Sequence, residues 1–258
     1  MSKKPLGVVL IHGFPGVPQV FGKLTGHIAG LGLPYRDPTL RGHGAQTPDA
    51  LRGVTWREWI ADGEKAMVEL LSEVEKVIII GHSMGGWIGL NLAADHGEKI
   101  DSLIVAGSST LTVSAFGPGR PLHFLIPLIL KIKKKFDNTP VFAGPEHIPY
   151  DSPYKWIPTE AFIQVFEVLK TARKRSPEVR VPILILQSRK DTTNSPEGAK
   201  LLYDSVSTPR DLKQLVWFER TGHIMFLDCE QEEVNRTVVE FIQNRLQRTQ
   251  QAGFASRS

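Results

Sequence analysis

Ser83 lies in Gly81-His82-Ser83-Met84-Gly85, a spacing suited to nucleophilic attack on a carbonyl. In a chain with 23 glycines the pattern arises by chance roughly 0.1 times, so its context matters. The run 77–80 before it is Val-Ile-Ile-Ile, a strand pattern, and the residues after it read as turn plus helix. A serine on such a turn stands above the sheet, and flanking glycines let strand and helix approach closely. The helix N-terminus then faces a developing oxyanion. The bland alternative is a glycine-rich turn without chemistry.

A serine hydroxyl is a weak nucleophile. It needs a base, and the base needs an orienting acid. Four histidines follow Ser83: His96, His123, His147 and His223. His223, in Arg220-Thr221-Gly222-His223, sits past the last predicted strand and before the last predicted helix, where a base can lean over the serine. His96 reads as a charge at a helix C-terminus. His123 and His147 fall in a proline-rich stretch. His12 and His82 read as turn organisers, and His27 and His43 precede the serine. The acid candidate is Asp191, directly after the apolar run 182–186. Asp204 and Asp211 fall in or after the next helix, and Asp137 and Asp151 in the proline-rich stretch. Two N–H donors for an oxyanion complete the set. One is the amide of Met84. The other is the amide of Phe14 in His12-Gly13-Phe14-Pro15-Gly16, since Pro15 has no N–H.

Positioning these residues takes alternating strands and helices. Short apolar runs at 8–11, 77–80, 100–106 and 182–186 read as strands, and 212–218 joins them. Helical patterns fill 55–75, the stretch after Ser83, 195–206 and 230–246. The first opens on Thr55-Trp56-Arg57-Glu58, which has the form of a capping box, and carries Trp56, Trp59, Ile60, Met67, Leu70, Leu71 and Val74 near one face. Ser195-Pro196 supplies a cap and a first helical residue. Strands apolar on both faces, separated by helices, imply an α/β architecture with a mostly parallel sheet of about six strands covered on both sides. Residues 1–107 and 177–247 form the two parts of this core. The stretch 108–176, rich in prolines including Pro118, Pro127, Pro140 and Pro153, reads as an insertion above the sheet, with a helical pattern over 159–174. The polar tail 248–258 reads as frayed.

The chain has 258 residues and a net charge of +4. That charge is too dilute to argue for nucleic acid. One cysteine, Cys229, excludes an intramolecular disulfide and fits a reducing, cytoplasmic setting. The start lacks the long apolar region of a secretory signal, and no run approaches a membrane span. No metal-ligand spacing occurs, so neither a metal nor an organic cofactor is expected.

The motifs His12-Gly13, Gly42-His43-Gly44, Gly81 to Gly85, Asp191 and Gly222-His223 stand in the order found in the α/β-hydrolase superfamily, which the chain resembles over about residues 6–246. The stretches 187–196 and 217–228 are similar to those of small bacterial carboxylesterases and monoacylglycerol lipases. The resemblance implies that Ser83, Asp191 and His223 form a catalytic triad and that the insertion is a cap over an acyl pocket. The expected activity is two-step hydrolysis of short- to medium-chain esters, monoacylglycerols among them. The first strand matches the family's third, so the resemblance implies a sheet of about six strands without the usual N-terminal hairpin.

Within the insertion, Phe116, Leu125 and Leu128 are candidate pocket residues, together with Ile224 beside the base. The apolar stretch 122–130 followed by Lys131-Ile132-Lys133-Lys134-Lys135 has two readings. It is either an ordinary amphipathic helix or a greasy lid edge with a basic collar that touches a lipid surface transiently. Two rival functions remain at this stage. One is hydrolysis of a diketone C–C bond, with Arg120, Arg173 or Arg175 holding a carboxylate. The other is a binding protein that holds its ligand without turnover.

Overall fold

The run 77–80 has no polar position, so a strand built on it cannot offer a face to water. The computed structural model, which describes residues 3–255 apart from 139, 141, 151 and 153, covers it on both sides. Asp151, Pro153 and the tail end 256–258 lie outside the described residues. The strands are β1 (Lys4–Ile11), β2 (Tyr35–Arg36), β3 (Val74–His82), β4 (Ile100–Ala106), β5 (Lys135–Asp137), β6 (Trp156–Pro158), β7 (Ile183–Ser188) and β8 (Lys213–Phe218). Six of them make one parallel sheet in the order β2-β1-β3-β4-β7-β8, and β5 and β6 form a separate antiparallel ribbon. Size and direction of the main sheet agree with the sequence expectation.

The two-residue period of the strands divides the core. Val77 and Ile79 point into one cluster, and Ile78 and Ile80 into the other. The first cluster packs against α2 (Trp56–Leu70), α3 (Met84–Asp95), α5 (Thr159–Arg175) and α6 (Pro196–Ser205); the second packs against α1 (Leu24–Gly30) and α7 (Gln231–Ala255). A short helix, α4 (Ile126–Ile132), lies between β4 and the ribbon. Helix α5 packs its buried Val165, Val168, Leu169 and Ala172 into the core cluster beside α3. Among the described residues no helix is long and apolar enough to cross a membrane.

Local signals held where they were chemical. Glu58 and Thr55 form the reciprocal capping box at the start of α2. Ser195 Oγ accepts from the Gly198 amide at 3.1 Å and caps α6. Two boundaries differ from the sequence reading. Helix α2 stops at Leu70, and Val74, expected on its apolar face, opens β3 instead. Val74 pairs with Lys4, and the Lys4 amide donates to the Glu73 carbonyl, so sheet pairing outweighs helical periodicity there. At the other end, α7 extends past the expected boundary at 247 and runs to Ala255. No proline interrupts it, and glutamine, arginine and alanine are good helix formers. Arg245 in this helix also makes a two-pronged ion pair with Asp101 of β4, at 2.8 and 2.9 Å.

Candidate active site

The C-terminal ends of β1, β3, β7 and β8 bring the candidate residues together. Register pairs Ile11 with Gly81 and His82 with Ala106. Ser83 therefore stands just beyond the end of a central strand. Its φ of 52° makes it the one non-glycine residue with positive φ among the described residues. Such a backbone is strained and persists only where its surroundings impose it. They do so here. The Ser83 amide donates to the Ala106 carbonyl at 2.9 Å, and Ser108 Oγ donates to the Ser83 carbonyl at 2.8 Å. Gly85 crosses β1 so closely that a Cβ there would lie 1.8 Å from the Ile11 carbonyl oxygen.

Ser83 Oγ lies 2.9 Å from His223 Nε2, and His223 Nδ1 lies 2.9 Å from Asp191 Oδ2. The carboxylate can only accept, so Nδ1 carries the proton and Nε2 is left to accept from the serine hydroxyl. Asp191 is fully buried at its side chain. Burial alone would raise its carboxyl. The His223 ring and the amides of Asn194 and Thr193 outweigh that and hold it below the ordinary range. Gln187 Nε2 also donates to Oδ2 at 3.1 Å, so the oxygen that holds His223 is itself held.

The turn bearing Phe14 is fixed by His12. Its Nδ1 donates to the Gly13 carbonyl at 2.9 Å, and its Nε2 accepts from the Leu40 amide at 3.0 Å. Burial pushes His12 down to about 3, with His43 beside it adding to the effect, and burial pushes His43 to about 4. Both rings are neutral at ordinary pH. The Phe14 and Met84 amides donate to nothing among the described residues.

Two cavities meet at Ser83. One, about 440 Å³, is walled by Met84, Trp87, Phe116, Ile126, Ile129 and Leu130 together with rings of Phe136, Phe162 and Phe166. The other, about 230 Å³, holds His223, Ile224, Tyr150, Asp137, Asn138 and Ser152. Phe14, Ser83 and Phe162 belong to both. A larger cavity, about 590 Å³, lies behind Tyr150 and reaches none of Ser83, His223 and Asp191, so size alone does not mark the site.

A family profile described as "Serine aminopeptidase, S33" matches residues 3–230. The chain belongs to the α/β-hydrolase superfamily. This hydrolase is 26% identical to a thermostable monoacylglycerol lipase of Bacillus sp. (strain H-257), over 92% of the chain and 90% of the relative. It is 25% identical to a carboxylesterase of Bacillus subtilis (strain 168), over 92% of each. A solved structure of a metagenome-derived lipolytic enzyme superposes with a TM-score of 0.84 at 24% identity, covering 94% of this chain and 95% of that one, a likeness of fold. The hydrolase is an enzyme of the carboxylic-ester class.

The structure brings Ser83, Asp191 and His223 into one hydrogen-bonded chain, and Phe14 and Met84 line the apolar cavity at Ser83. Phe116 and Ile224 line the two cavities. Leu125 and Leu128 do not, which corrects the sequence expectation. On α4 the residues Ile126, Ile129 and Leu130 share the inward face at helical spacing, which turns Leu128 outward to 57% exposure. Leu125, just before α4, is half-buried outside both cavities. His96 caps α3 and contacts Glu64 at 2.7 Å. His82 does more than shape a turn, because its Nε2 donates to the His223 carbonyl at 2.9 Å. The sequence assigns Gln187 no role, although a polar residue closing an apolar strand just before the acid is a usable signal.

Proposed function

We propose that this hydrolase cleaves short- to medium-chain carboxylic esters, monoacylglycerols among them, through an acyl-enzyme on Ser83. The observation that carries the reading is the Ser83–His223–Asp191 hydrogen-bond chain, two contacts of 2.9 Å ending on a strained serine. His223 takes the hydroxyl proton as Ser83 attacks the ester carbonyl. Asp191 holds the ring and stabilises its cationic form. The Phe14 and Met84 amides, both without other acceptors among the described residues, receive the oxyanion. His223 then protonates the departing alkoxide, and water resolves the acyl-enzyme by the same route in reverse.

The two cavities suit the two halves of an ester. The apolar one takes the acyl chain, and its volume of about 440 Å³ is that of a small-molecule pocket. The one with Asp137, Asn138 and Ser152 takes the alcohol. The stretch 108–176, which contributes walls to both, is the cap in this reading, and the single half-buried Cys229 fits a reducing cytoplasm.

The diketone alternative loses its support. Neither cavity at Ser83 is lined by arginine or lysine. Arg120 binds the Thr112 carbonyl and Glu197, Arg175 binds Asp95 and Glu178, and Arg173 packs at Gly119. The outer face of the cap favours a transient lipid contact. Phe124, Leu128 and Ile132 are 73%, 57% and 77% exposed, and exposed lysines at 131 and 133–135 suit an anionic surface.

The test is hydrolysis of p-nitrophenyl esters of two to sixteen carbons by wild type and Ser83→Ala. Turnover with a medium-chain optimum, lost by at least ~10³-fold in the variant, is expected. A folded wild type inactive on every chain overturns the esterase reading. Co-sedimentation with anionic vesicles, lost in Phe124→Ser/Ile132→Ser, tests the lipid contact; no difference from wild type removes it.

A further inference from the structure

Asp228 lies five residues after His223, outside the chain of proton-transfer groups, and is fully buried. Its Oδ2 accepts two amides at once: Gly222, beside the base, at 2.7 Å, and Ala143, in the proposed cap, at 2.8 Å. Its Oδ1 accepts Cys229 at 2.7 Å and Gly144 at 3.3 Å. One carboxylate thus holds four N–H groups from two separate stretches of chain. Burial acts to raise its carboxyl, and the four amides together pull it lower than usual, so it is anionic at working pH.

The two stretches touch closely. A Cβ at Gly222 would lie 3.1 Å from Asp228 Oδ2 and 3.3 Å from the Ala143 nitrogen. A Cβ at Gly144 would lie 3.0 Å from that of Cys229. The Ile148 amide adds a third tie by donating to the Leu227 carbonyl at 2.7 Å. Helix α7 begins three residues after Asp228, so one side of the junction is anchored to the core.

We infer that Asp228 is a positioning residue that makes the seating of the cap at Ala143–Gly144 and the orientation of His223 a single event. The inference rests on the proposed role of His223 as the base. The base loop has other anchors. Glu230 accepts the Arg220 and Thr221 amides, Ser188 Oγ donates to the Thr221 carbonyl, and His82 donates to the His223 carbonyl. These act from within the core. Asp228 alone among them reaches the cap, so a displaced cap loosens the residue directly before the base. The prediction is that cap damage lowers turnover even of an ester too small to need the acyl cavity.

Three variants test this with p-nitrophenyl acetate: Asp228→Asn, Asp228→Ala and Ala143→Pro. The last removes only the cap's N–H and leaves Asp228 and Gly222 unchanged. Misplacement of a reacting group by about 1 Å costs ~100-fold. Asp228→Ala is expected to lose about that factor in kcat, and Asp228→Asn, which keeps one carbonyl oxygen, about tenfold. Ala143→Pro should lose about fivefold. The low-field proton resonance of His223 Nδ1, bonded to Asp191, should broaden or move in all three, with no substrate present. An Ala143→Pro variant that folds and keeps both kcat and resonance overturns the coupling. So does an Asp228→Asn variant that loses thermal stability alone. If Ala143→Pro does not fold, amide exchange decides. The Ala143 and Gly222 amides should lose protection together in Asp228→Asn, and loss at only one overturns the inference. A wild type inactive on esters would sink the esterase reading, while the resonance and exchange results would still judge the coupling.

Discussion

The nucleophile side and the proposed cap are built by opposite rules. From β3 through α3 almost every residue is buried, and glycine lets backbones pass at distances no side chain permits. Between β4 and α5 the elements are short. Helix α4 has no fully buried residue, and large apolar side chains face outward. The first region holds the proposed nucleophile in a tightly packed setting. The second sets the size and polarity of what reaches it. In the proposed mechanism the chemistry resides in the rigid part and the selectivity in the looser one.

The largest expected effect attacks the rigid side. Gly85→Ala puts a methyl 1.8 Å from the Ile11 carbonyl oxygen, and no flexible side chain stands there to move. Loss of more than ~4 kcal/mol, seen as failure to yield folded protein, is expected. Normal yield and melting temperature would mean that the β1–α3 crossing is softer than the geometry implies.

Asp191→Asn should keep the fold and cost about 10³–10⁴-fold in kcat, because an amide at this position can present a donor where His223 needs an acceptor. A loss below tenfold would remove Asp191 from its assigned role.

Acid should also find the rigid side first. His12, His43 and His82 are buried and lowered to about 3, 4 and 4. In the unfolded chain they take up protons near pH 6.5, so the unfolded state binds more protons between the two values. Stability is therefore full above about pH 6.5 and falls as pH drops toward 4. Each histidine costs on the order of 2 kcal/mol at pH 5. Urea unfolding at pH 7.5 and pH 5.0 measures this, and equal midpoints would contradict the burial of these rings.

The smallest effects belong to the cap. Ile129→Ala with Leu130→Ala should lower turnover of long-chain esters about tenfold and of acetate less than threefold, since both line the apolar cavity. Leu128→Ser, on the outer face, should leave both unchanged. Equal losses on long and short esters would place the acyl chain elsewhere.

What the sequence made legible follows the same division. The strand runs, the capping box and the elbow were local patterns, with each signal lying within a few residues of its effect. The linkages were not local. Asp228 meets Ala143 across 85 positions, and His82 meets the His223 carbonyl across 141. No periodicity announces such pairs. Helix α4 failed in another way. Its sequence is apolar nearly all round, so the pattern gave no way to tell Leu128 outside from Ile129 inside. Val74 is ambiguous in the sequence because a β-branched residue at the end of a helical pattern serves either structure, and pairing with Lys4 settles it.

The strand order has one further consequence. Strands β4 and β7 are hydrogen-bonded neighbours, although roughly 75 residues separate them along the chain. The entropy of closing such a loop grows only with the logarithm of its length, about 0.6 kcal/mol for each doubling. The sheet is therefore nearly indifferent to how much chain is spliced in before α5. Grafting a foreign segment between Gly107 and Pro158 is a change of tool head on an unchanged handle. The graft would have to restore the Ser108 tie to the Ser83 carbonyl, the buried Tyr154 and the small latch at Asp228.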